Sequence, residues 1–173
     1  MSARTVLGAL ERAVGSATKA LSVVGLAALL FLALLTLADG LGRWLLGVSI
    51  EGVRDIGGFV IAVAVSCCLP VGLMERGHIT VRLAARFGDA AGRAADLLAS
   101  LLVLLTMVAM AWQFYLHAGK LAAARETTWV LQIPVAPFWY GVDAILWWAV
   151  VVQALVVALD AARLARPAPA APR

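Results

Sequence analysis

Four stretches of the chain are apolar almost without interruption: Ala20–Ala38, Ile56–Met74, Leu97–Leu116 and Phe138–Leu159. Each is about 20 residues long, which at 1.5 Å per residue matches the roughly 30 Å of a bilayer's hydrocarbon core. The first three hold no charged residue, and the fourth holds one, Asp143. Half-buried strands would alternate apolar with polar positions, and these runs do not. Inside lipid each backbone N–H and C=O has to be paired within its own segment, so the pattern predicts four transmembrane α-helices.

Between the runs the pattern becomes amphipathic. In residues 1–19, Val6, Leu10 and Val14 recur every four positions with Leu7 beside them, while Arg4, Glu11 and Arg12 keep to the other side. This spacing predicts a short helix in the membrane surface before the first span, with a frayed terminus as the alternative. In residues 77–96, Ile79, Leu83 and Phe87 form one helical face and Arg82, Arg86, Asp89 and Arg93 another. The apolar face is expected to sink into the acyl boundary while Arg82, Arg86 and Arg93 meet phospholipid headgroups. The competing reading is a solvated extension of the third span. Pro70 deprives the Ser66 carbonyl of its helical partner, so a kink is expected there. Pro134 and Pro137 stop any helix and stiffen the approach to the fourth span. The Pro/Ala-rich residues 161–173 read as a disordered tail. The expected fold class is all-α: an integral membrane four-helix protein with interfacial amphipathic helices. Its layout is an N-terminal segment 1–19, a transmembrane domain 20–160 and the tail.

Charge sets the orientation. Arg4, Arg12, Lys19, Arg76, Arg82, Arg86, Arg93, Arg163, Arg166 and Arg173 fall on one side of the spans; Arg43, Arg54, Lys120 and Arg125 fall on the other. A split of ten to four by the positive-inside rule puts both termini in the cytoplasm. Trp44, Trp112, Tyr115, Trp129, Trp139 and Tyr140 cluster near the opposite, outer ends and read as an aromatic belt. Trp147 and Trp148 fall near the middle of the fourth span, where ordinary packing or a partner helix would use them.

Composition agrees: 64% of the 173 residues are hydrophobic and 14% charged, against about 25% charged in soluble domains. The longest gap between spans, residues 75–96, has no room for a soluble catalytic fold. The first run is too long for a signal-peptide core and is expected to be retained. The net charge of +4 follows from the loop arginines and is not a nucleic-acid signal. The expected location is a bacterial inner membrane.

Little in the chain suggests catalysis. His78 and His117 are its only histidines and lie a membrane thickness apart, so they cannot share a haem. Cys67 and Cys68 are adjacent within a span and read as small packing residues. No metal-ligand spacing, phosphate loop or nucleophile elbow is present. The reading is therefore of a protein that is not an enzyme and holds no cofactor.

The informative charges lie at the outer ends. Asp39 and Arg43 are one helical turn apart, Glu51, Arg54 and Asp55 follow, and Asp143 lies at similar depth in the fourth span. A charge in hydrocarbon costs several kcal/mol unless paired or wetted, so Asp143 is expected to find a partner in Arg43, Arg54 or Lys120. Asp39, Arg43, Glu51, Arg54 and Asp143 are thus candidates for a structural ion-pair cluster or partner interface. An ion or substrate path is the competing reading. The middles of the first and third spans offer it only Thr36, Ser100 and Thr106, and Gln153 in the fourth span is the single stronger candidate.

The run Asp39-Gly-Leu-Gly-Arg43-Trp44, then Ser49-Ile50-Glu51, then Glu75-Arg76-Gly77-His78-Ile79-Thr80-Val81 resembles the small DctQ-like membrane subunit of tripartite ATP-independent periplasmic (TRAP) transporters. Glu126-Thr127 and Ile133-Pro134 before the last span fit as well. Arg82 departs from the family, which often has an acidic residue there. The resemblance implies an accessory subunit of a sodium-coupled transporter for organic anions. Its partners would be a large DctM-like membrane subunit, which holds the sodium ions, and a periplasmic DctP-like solute-binding protein. It also implies a periplasmic docking surface, for which Glu126, Trp129 and Pro134 are the candidates. The alternative from another class is a self-contained homo-oligomeric channel or exporter, which should line a pore helix with polar residues.

Overall fold

The computed structural model describes residues 3–49, 52–75 and 89–164. They form four helices, α1 (Ala3–Leu46), α2 (Val53–Met74), α3 (Asp89–Ala124) and α4 (Ala136–Leu164). All four are long and apolar enough to cross a membrane. The four expected runs each lie inside one helix, and every helix extends beyond its run. Apolar composition marks only the stretch that lipid would surround; the polar turns at either end continue the same backbone ladder.

At the N-terminal end α1 is continuous, with no break between residues 3–19 and the first apolar run. Its 44 residues amount to about 66 Å, twice a hydrocarbon core. The reason lies in its side chains: Val14 is buried with Leu73, Ala149, Val152 and Leu155, so this part of α1 follows the bundle. Residues 89–96 likewise continue into α3, whereas Ile79, Leu83 and Phe87 lie outside the described residues, as does the Pro/Ala-rich tail from residue 165. α2 runs on through Pro70 to Met74, and the Ser66 hydroxyl donates to the Ala62 carbonyl at 2.8 Å just before it.

Neighbouring helices pack in the spatial order α1, α2, α4, α3. α1 and α3 are therefore the edges of the arrangement. In their apolar spans 11% of residues are buried within the chain, compared with 33% in α2 and 39% in α4. The edge helices turn Val23, Leu30, Phe31 and Leu37 of α1 and Leu98, Leu102 and Leu105 of α3 outward.

Close approach holds the layers. A Cβ on Gly25 of α1 would stand 2.6 Å from Cys67 Cβ and 3.0 Å from the Ala64 carbonyl oxygen of α2. Ala64 and Cys67 are buried there, so Cys67 acts as a small residue at a helix crossing. Polar pairs supplement this packing. Gln153 Nε2 of α4 donates to the Ser100 carbonyl of α3 at 3.0 Å, and the Ser100 hydroxyl donates to Asp160 Oδ2 at 2.6 Å. Trp148 Nε1 donates to Thr18 Oγ1 of α1 at 3.2 Å, which gives Trp148 a partner within the chain.

Gly25→Leu is expected to force α1 and α2 apart and destabilise the protein by about 1–3 kcal/mol. Gly58→Ala, where the added Cβ meets nothing within 4 Å, should be neutral or slightly stabilising. Thermal unfolding of both variants in mild detergent checks this; equal melting temperatures would contradict the close crossing.

Candidate functional site

The features that sequence reasoning singled out gather at the end of the bundle where α1 passes to α2 and α3 to α4. Asp39 and Arg43 stand one turn apart on the last turns of α1, and Arg43 Nη2 donates to Asp39 Oδ2 at 2.8 Å. The same guanidinium donates to Ser49 Oγ at 3.0 Å, and the Ser49 hydroxyl donates to Asp39 Oδ1 at 3.3 Å. The pair is asymmetric: the Arg43 side chain is 59% exposed and that of Asp39 is 12%. Arg54, in the first turn of α2, is exposed and lines the same groove as Asp39 and Arg43. Glu51 lies outside the described residues.

Asp143 does not join this group. It is buried on α4 between the core residues Val142 and Leu146. No ion pair links it to Arg43, Arg54 or Lys120, and its Oδ1 has no hydrogen-bond partner. The physical reason is the helix order: α4 packs on α2 and α3, so α2 stands between Asp143 and the end of α1. Similar depth in the sequence did not mean the same side of the bundle.

Glu126, Trp129 and Pro134 come together in a small hairpin between α3 and α4. Thr127 and Pro134 form an antiparallel bridge, the Val135 amide donates to the Glu126 carbonyl at 3.0 Å, and the Thr128 amide donates to the Ile133 carbonyl at 2.9 Å. The Ile133 amide in turn donates to Thr128 Oγ1 at 3.2 Å. Trp129 sits at the tip and is 94% exposed. The hairpin is strapped to α2: the Asp55 carboxylate accepts the Val130 amide at 2.9 Å and the Leu131 amide at 3.1 Å. Leu131 seats on Gly52, where a Cβ would stand 2.6 Å from Leu131 Cδ1 and where φ is 86°. Glycine is needed there on both counts.

An aromatic layer lies beneath. Phe59 of α2 stacks on Phe138 of α4 with centroids 4.5 Å apart. Trp139 meets Phe114 and His117 of α3, and Tyr140 meets Tyr115 edge-on at 6.2 Å. Several residues of the expected belt are thus also inter-helix contacts.

Arg93 lies at the opposite end, in the early turns of α3; Arg82 and Arg86 fall outside the described residues. Among the described residues no group of His, Cys, Asp and Glu is placed to hold a metal. The polar residues weighed as a path, Ser100 and Gln153, are instead buried and bonded to each other across α3 and α4. Thr36 and Thr106 bond to the carbonyls of Leu32 and Leu102 on their own helices.

Sequence reasoning missed three features: the Asp55 strap, the seat of Leu131 on Gly52, and the buried Asp160 beneath Ser100. Asp55 stood beside the named Arg54, and a carboxylate in the first turn of a helix was the available signal. Asp160 lies just past the last apolar run, and nothing in the sequence links it to Ser100, sixty residues away.

Comparison with curated proteins and with solved structures finds no match. The family model for the DctQ component of tripartite ATP-independent periplasmic transporters matches residues 32–166, which include parts of all four helices and both loops at the ion-pair end, and the chain belongs to that family.

Proposed function

We propose that this chain is the accessory small membrane subunit of a sodium-coupled TRAP transporter for organic anions. It packs against the scaffold of a large DctM-like subunit in a bacterial inner membrane. The family match over residues 32–166 carries this reading. The outward apolar faces of α1 and α3 and the bonded state of Ser100 and Gln153 support it: such a chain offers surface to a partner and no polar path of its own. The sodium and substrate sites belong to the large subunit in this reading. The exposed hairpin of Glu126, Trp129 and Pro134 is the docking surface for the periplasmic binding protein. Arg82, Arg86 and Arg93 meet lipid headgroups, and the N-terminal turns of α1 run out from the cytoplasmic face.

Both termini are cytoplasmic in this reading, because ten basic residues fall on the terminal side and four on the other. A reporter active only in the periplasm and fused after Arg173 should be silent, and one inserted after Trp129 should be active. The reverse pattern would overturn the orientation.

Co-expressed with the large subunit of the same system and extracted in mild detergent, the chain should elute with it in a one-to-one complex. Separate elution across several mild detergents, with both proteins folded, would count against the accessory role.

The ion pair is expected to support folding and assembly. Arg43→Ala leaves the mostly buried Asp39 carboxylate with fewer partners, whereas Asp39→Asn leaves an arginine that is already largely solvated. Arg43→Ala should therefore cost more, about 1–2 kcal/mol given its exposure. Arg43→Lys should be intermediate because it cannot reach Asp39 and Ser49 with one planar group. Complex yield and melting temperature read the order; a change in apparent substrate affinity with assembly intact would place the pair in the transport path instead.

A further inference from the structure

The groove between the ends of α1 and α2 has a volume of about 710 Å³ and a graded lining. Asp39, Arg43 and Arg54 stand at its mouth, and Leu32, Gly58 and Ile61 lie deeper. We propose that this groove is a phospholipid site, with the phosphodiester held by Arg54 and Arg43 and one acyl chain running down between α1 and α2.

Three observations carry this. Among the described residues that line the groove, one carboxylate and two guanidiniums sum to +1, which suits one phosphodiester. Arg43 binds Asp39 through one nitrogen and is 59% exposed, and Arg54 has no ion pair among the described residues, so both retain donors for an anion. From Arg43 to Leu32 is eleven residues of α1, about 16 Å along the axis and close to the half-thickness of a hydrocarbon core. The charged-to-apolar gradient therefore spans one leaflet, as a phospholipid does.

Glycine keeps the apolar part open. A Cβ on Gly58 would meet nothing within 4 Å, so the groove wall there faces space and not a packed neighbour. A helix surface merely bathed by annular lipid needs neither such a recess nor paired cations at its head. The lipid would complete the α1–α2 layer on the side away from α4.

Native mass spectrometry of the full-length chain, released from micelles with added dioleoylphosphatidylglycerol, tests the site. The wild type should keep one lipid at activation energies that strip the others. Arg54→Gln should lower that occupancy about fivefold, as expected for one basic group at a lipid headgroup. Gly58→Phe should abolish it by filling the groove, while Arg125→Gln, an exposed cation just past α3 and outside the groove lining, should leave it unchanged. Dioleoylglycerol, which lacks the phosphate, should not replace the lipid, and millimolar inorganic phosphate should not displace it. Displacement by phosphate alone would make the site one for a free anion and overturn the proposal. So would equal lipid retention by the wild type, Arg54→Gln and Gly58→Phe proteins. Repeating the measurement on the complex with the large subunit should show the same lipid. Its loss there, with retention by the isolated chain, would mean that a partner helix occupies the groove and would also overturn the proposal. Melting temperatures of the variants confirm that each is folded.

Discussion

Apolar surface in a lipid environment gains almost nothing by meeting other apolar surface, so helices there are held by close approach and by a few polar pairs. The chain follows this constraint. Gly25 lets α1 come down onto Ala64 and Cys67, where any side chain would collide. Gln153, Ser100 and Asp160 fix α3 against α4 with bonds of 3.0 Å and 2.6 Å. Thr18 and Trp148 tie the start of the first span to the fourth. The remaining apolar surface has no reason to close on itself, and the helices stand in the order α1, α2, α4, α3 with open edges.

That openness connects the fold to its family role. A channel or exporter working alone would turn polar residues toward a shared axis, but most of the buried polar groups described here have a partner within the chain. A DctQ component is not an enzyme, and in the proposed role this chain contributes surface and rigidity. The loop end shows how rigidity is made locally. Asp55 takes two loop amides, Leu131 seats on Gly52, and the hairpin bonds within itself, so Trp129 is presented on a braced tip. Asp143 and Gln153 are the exceptions: each keeps one buried oxygen, Oδ1 and Oε1, without a hydrogen-bond partner in the chain's own packing.

Much of this was legible from the residues. Uninterrupted apolar runs leave no alternative to helices in a bilayer, so the spans and their number followed from length alone. The Asp39–Arg43 pair was legible because it is local, one turn apart on a single helix. The separation of Asp143 from that pair was not, because depth along a helix says nothing about azimuth: α2 stands between α4 and the end of α1. Asp55 was missed because its partners are backbone amides seventy-five and seventy-six residues away, which no side-chain pattern reveals. The helices extend past the apolar runs because hydropathy falls where the membrane stops, not where the backbone ladder does. Thr18 and Asp160 lie in those extensions and turned out to be core residues.

The accessory role is tested most directly by reconstituted uptake. Proteoliposomes would carry the large subunit alone, this chain alone or both, each supplied with the binding protein, a sodium gradient and labelled organic anion. Uptake only when both membrane subunits are present is the predicted result; sodium-driven uptake by vesicles that contain this chain alone would contradict it.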